Sequence, residues 1–108
     1  MSTEPTINVV TEKGLRHHVE SGLAIEILCK AAPERKGPTW HGTWVMRTIG
    51  ANGEEKMLVT ARASLSDIKV REFKTATGVI SFLIGMGFAS AHIPLKPGHR
   101  TAHRLTGE

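Results

Sequence analysis

Cysteine is nearly missing from this chain: Cys29 is the only one in 108 residues. A single cysteine can close no intrachain disulfide and cannot build a thiolate zinc site, which fits a reducing compartment, so the expected location is cytoplasmic. Long apolar runs are missing too. No stretch approaches the roughly 18 residues that a membrane span needs. Met1 to Thr11 has neither the basic start nor the apolar centre of a signal peptide. No membrane partner is expected. No internal repeat is present, and neither GxxxxGK(S/T) nor GxGxxG falls between a strand and a helix. Gly50 and Gly53 therefore read as hairpin residues, and Gly78, Gly85 and Gly87 as helix residues and a helix end.

What is present is positive charge: 14 Lys and Arg against 10 Asp and Glu give a net charge of +4, with a pI near 9.6. That sign favours polyanions, because Lys and Arg release condensed counterions from phosphates. The length suits one domain with one modest core. We read residues 1–11 as a flexible leader, 12–95 as a single α+β domain, and 96–108, with Arg100 and Arg104, as a flexible basic tail.

Ile7, Val9 and Val10 can form a short edge strand. Between Glu12 and Ala32 two patterns compete. Leu15, Val19, Leu23, Ile27 and Ala31 recur every four residues as on a helix, although Gly14 and Gly22 weaken it. Leu23, Ile25, Ile27 and Cys29 instead alternate as on a strand. A turn or short helix to about Ser21 followed by a strand is favoured. Pro33 to Pro38 reads as a loop that no regular element crosses. Thr39 to Ile49, the turn Gly50-Ala51-Asn52-Gly53 and Met57 to Ser64 form a hairpin. After a turn at Leu65-Ser66-Asp67, Ile68 to Phe73 reads as a third meander strand, with Ile68 and Val70 on one face and Lys69 and Arg71 on the other. Thr75 is the expected N-cap of a helix that ends near Gly87 and carries Val79, Ile80, Phe82, Leu83, Ile84 and Met86 as a broad apolar face that needs cover on more than one side. The predicted fold is an antiparallel β-meander of three or four strands followed by one packed α-helix, with room for a short final strand over Phe88 to Leu95. So apolar a helix on so small a domain also suggests a homodimer.

No catalytic signature is legible. His99 and His103 have the i, i+4 spacing of helical zinc ligands, but their segment follows Pro97-Gly98 without an apolar docking face. His17 and His18 are adjacent and point apart. His41 and His92 have no Ser, Cys or Asp at recognisable spacing, and Glu54-Glu55 follows a turn where carboxylates are simply solvated. The reading is a non-enzyme with no metal and no cofactor.

The constellation that carries a function is Trp40 and Trp44 with Arg47, Lys56, Arg62, Lys69, Arg71 and Lys74. On three consecutive strands these residues could present rings for base stacking within a basic field that follows a backbone. If the Trp face covers the helix instead, the rings are core and only the cations face solvent.

The run Leu58-Val59-Thr60-Ala61-Arg62, followed by Val70-Arg71-Glu72-Phe73-Lys74-Thr75 and a helix ending Phe82-Leu83…Gly85-Met86-Gly87-Phe88, resembles a family of small accessory proteins of conjugative plasmids, some of them partition-associated. That resemblance implies a role in plasmid maintenance or transfer, with DNA and DNA-handling proteins as partners. A four-strand meander ending in a helix also looks like PC4-like and Whirly-like single-stranded DNA binders, an analogy of fold alone. The leading expectation is an accessory protein that binds nucleic acid, DNA rather than RNA, in single-stranded or distorted form, since no helix-turn-helix is legible. The alternative is a non-enzymatic adaptor that docks another protein of a plasmid or mobile element.

Overall fold

The computed structural model describes residues 9–50, 52–60 and 69–105. In chain order the elements are β1 (Val9–Val10), α1 (Glu12–Glu20), β2 (Ala24–Lys36), β3 (Thr39–Ile49), β4 (Glu55–Thr60), β5 (Lys69–Val70), β6 (Phe73–Thr75), α2 (Ala76–Met86) and β7 (Arg100–His103). This is the α+β arrangement expected, a meander-like sheet followed by a helix.

The spine is the β2–β3 hairpin, whose antiparallel register sets Ile25 opposite Thr48, Ile27 opposite Met46 and Cys29 opposite Trp44. All six are buried, because alternation sends them to one face of the sheet while Glu26, Leu28 and Lys30 go to the other. Both helices close that apolar face. α1 contributes Leu15 and Val19, and α2 contributes Val79, Phe82, Leu83 and Met86; full burial of each side chain of this size is worth roughly 1.5–3 kcal/mol. The caps of α2 are those expected, and Thr11 adds one that was not. Thr11 Oγ1 accepts from Gly14 N–H at the start of α1, Thr75 Oγ1 accepts from Gly78 N–H at 3.0 Å at the start of α2, and Gly87 ends α2 at φ +100°, a conformation that suits glycine best. Arg16 donates to Gly85 O at 2.8 Å and ties α1 to the end of α2.

The sheet runs β1-β4-β3-β2-β7, and β6 also pairs with β3. Beside β3, β4 pairs with Arg47–Ile49, while β6 is opposite Trp44 and His41. The expected third meander strand is thus corrected. Lys69 and Val70 pair with β4, and Phe73–Thr75 form a separate strand on β3. The expected turn at Leu65-Ser66-Asp67, like Ile7 and Arg62, lies outside the described residues.

Three further expectations change. β2 runs through Pro33 to Lys36, leaving only Gly37 and Pro38 as the turn. Register shifts between Cys29 and Ala31 and between Ala31 and Glu34 give Pro33 a bulged stretch where its missing N–H breaks no ladder. Phe88 to Leu95 form no strand. Instead Arg100–His103, expected in a flexible tail, pair with Leu28–Ile25 of β2 as β7 and bury His103. Ala102 is the one apolar residue of that strand, so apolar alternation could not reveal it.

Candidate nucleic-acid interface

Of the eight nominated residues Arg62 lies outside the described residues, and the structure separates the other seven. Trp44 is fully buried, and its indole N–H donates to Pro94 O at 2.8 Å; it is a core ring and takes no part in a surface. Trp40, four residues earlier on the same strand, is 49 % exposed. β3 runs out from under the helices towards the hairpin turn, so the same face that is covered at Trp44 is open at Trp40.

The cations divide as sharply. Arg47 sits between Glu26, at 2.5 Å, and Glu55, at 2.8 Å, with 14 % of its side chain exposed. Arg100 approaches the same Glu26 at 3.6 Å. Arg71 pairs with Glu12 at 2.8 Å and lies over the rings of Phe73 and Phe82, 4.8 and 5.1 Å from their centroids, a cation–π arrangement that makes it part of the packing. It does not stand free beside Lys69 as expected. Lys74 pairs with Glu72 at 2.9 Å and stays largely exposed. That bond, reinforced by the charge of Lys74 itself and more weakly by Lys30, holds the Glu72 carboxyl below its ordinary range. Lys56 is half-buried on β4, and Lys69 is exposed on β5.

What the fold does bring together is the far end of the β2–β3 hairpin. Arg35 lies directly across from Trp40, and Lys36 follows it. On the face of His41, a groove of about 340 Å³ is lined by Glu34, Lys36, His41 and Lys74 among others; on the face of Trp40, a groove of about 240 Å³ is lined by carbon-rich side chains, Leu95 among them. Among the described residues, Lys30, Arg35, Lys36 and Lys96 make no ion pair. Sequence reasoning missed Arg35 and Lys36 because Pro33 to Pro38 read as a loop. The signal was there: a Gly-Pro pair two residues ahead of a β-rich run marks a hairpin whose flanks face each other.

His92 and His103 form a second polar cluster. His92 N–H donates to His103 Nε2 at 2.7 Å, and Thr101 Oγ1 donates to His92 O at 2.5 Å. With Nε2 accepting, the neutral ring carries its proton on Nδ1, which is buried without a hydrogen-bond partner among the described residues. Burial first, and the neighbouring His92 second, push the His103 pKa below the ordinary imidazole value. The unfolded chain therefore binds a proton more readily than the folded one. The stability that His103 contributes is present above about pH 6.5 and lost as pH falls through that value towards the depressed folded pKa. We expect urea unfolding to give lower stability at pH 5.5 than at pH 7.5, with the drop reduced in His103→Gln, whose amide oxygen can still accept from His92 N–H. An unchanged drop in that variant would assign the dependence elsewhere.

Cys29 is buried, its Sγ donates to Ala31 O at 3.4 Å, and burial pushes the thiol pKa up, the reverse of what an activated nucleophile needs. Among the described residues no group of three or more His, Cys, Asp or Glu is placed to hold a metal ion, and no helix is long and apolar enough to cross a membrane. Compared with family models, curated proteins and solved structures, the chain matches none.

Proposed function

We propose that this chain is a nucleic-acid-binding accessory protein, acting on single-stranded or distorted DNA in plasmid maintenance or transfer, and that its contact surface is the far end of the β2–β3 hairpin. The observation that carries the reading is the half-exposed Trp40 directly across from the ion-pair-free Arg35. A ring beside a cation suits stacking and phosphate contact at once. Lys30 and Lys36 widen the basic field; Arg47, Arg71 and Lys74, already paired with carboxylates, drop out of it. Plasmid maintenance enters only through the sequence resemblance.

The test is a titration with single-stranded DNA, duplex DNA and RNA at low and physiological salt. Single-stranded DNA should bind best, and affinity should fall steeply with salt. Arg35→Ala with Lys36→Ala should lower the log–log salt slope by roughly one to two units without changing the melting temperature, because both side chains are exposed. No binding to any of the three at low salt refutes the reading.

A second reading, a protein-interaction adaptor, is favoured by α2. Ile80 and Ile84 are exposed there, Ile84 by 67 %, on a helix that carries no charged residue. A homodimer would form on the same face. Contacts of this kind respond little to salt, which separates the two readings in the same titration.

A further inference from the structure

Resting on the nucleic-acid reading, we infer that the apolar groove beside Trp40 holds one unstacked base of a single strand, with the phosphates running over the cations beside it. Its walls are Pro33, Trp40, Trp44, Ala76, Ile93 and Leu95, of which Trp40 is half-exposed and Leu95 more so.

Charge selects the occupant. Arg35 is the cross-strand partner of Trp40, and its Nε donates to Gly37 O at 3.0 Å, which steadies the planar guanidinium at the turn end of the hairpin. Such a cation can meet a phosphate or stack on the outer face of a base. Lys96 follows Leu95, one of the lining residues, while Lys36 lies on the other face of the hairpin with His41. Arg35 and Lys96 therefore place positive charge beside the groove, complementary to a strand that crosses it.

The chemistry of the walls points the same way. The lining is almost all carbon, and of its two indoles Trp44 already gives its N–H to Pro94 O, leaving that of Trp40. An extended peptide would bring a row of backbone N–H and C=O groups that such walls leave mostly without partners. A base presents a flat π face to the ring and leaves its polar edge in water. Because the walls contact faces and not edges, binding should tolerate any sequence but require an unpaired strand. The wall is also held in place. His92, just before Ile93, is bonded through both N–H and C=O to β7, so the groove exists before a ligand arrives and ordering it adds little to the cost of binding.

The experiment uses the full chain, a thymidine oligonucleotide, the same oligonucleotide with abasic sites, and inorganic polyphosphate. Binding is followed at low salt by competition and by tryptophan emission. The intact oligonucleotide should quench emission and bind roughly tenfold or more tightly than the abasic strand. Trp40→Ala should remove that advantage while leaving polyphosphate binding unchanged, and Trp40→Phe, which keeps a ring, should retain most of it. Circular dichroism checks that both variants fold. Equal binding of the abasic and intact strands overturns the base groove and leaves the nucleic-acid reading standing. Failure of the wild-type protein to bind any polyanion overturns both. Quenching by a proline-rich peptide and not by the oligonucleotide assigns the groove to a peptide and overturns the inference as well.

Discussion

Trp44→Ala is expected to cost about 3–5 kcal/mol, the range for truncating a large aromatic in a packed core. The ring is fully buried beside Cys29 and Phe73, its register partners on β2 and β6, and its N–H satisfies Pro94 O. Truncation opens a cavity where three strands meet and leaves a carbonyl without its donor. Domains of this class hold about 5–15 kcal/mol in total, so urea unfolding should show the midpoint collapsing or the transition disappearing. A variant that stays within about 1 kcal/mol of the wild type, or that keeps its fold and loses only nucleic-acid binding, would show the ring to be a surface residue.

Gly42→Ala is expected to be the next most damaging of these changes, at roughly 1–3 kcal/mol, the usual range for overpacking. A Cβ at this position would stand 2.9 Å from Ala31 O, 2.9 Å from Trp44 Cη2 and 3.1 Å from Pro33 Cα. Two of these neighbours are backbone on the bulged stretch of β2, and the third is the buried ring, so none can swing away cheaply. Gly85→Ala is the matched control. Nothing lies within 4 Å of its Cβ position, and in a helix alanine is favoured over glycine by roughly 1 kcal/mol. Thermal unfolding of the pair should move in opposite directions. A neutral Gly42→Ala would mean that β2 and β3 are not so closely apposed.

Local chemistry made half of this fold legible. Thr75 and Gly87 bracket α2 because cap residues act within one turn, and Gly50 to Gly53 joined β3 to β4 because hairpin turns need a few residues of particular type. Non-local choices left no such mark. Nothing in Val70 to Thr75 says that the chain leaves β4 and joins β3. Nothing in Arg100 to His103 says that a polar segment will find Ile25 to Leu28. For the site, alternation placed Trp40 and Trp44 on one face but could not show that the cover ends between them. Nor could it place Arg71: the chain leaves β5 after Val70 and enters β6 at Phe73, and this break in the strand brings the guanidinium over Phe73 and Phe82.

The bulged stretch of β2 has a colloidal consequence. β7 covers this strand's outer edge only along Ile25 to Leu28, and beyond Cys29 no strand among the described residues pairs with it. A bare edge of that kind is where chains recruit one another into aggregates. Here it carries two register shifts, a proline without an N–H, and the charges of Glu34, Arg35 and Lys36 in succession, each a device that prevents a neighbouring strand from adding on. The hairpin can thus stand out in water, where a ligand reaches it, without seeding a fibre. The same devices keep a visiting peptide from binding there as an extra strand, so what the hairpin recognises it must grip with side chains.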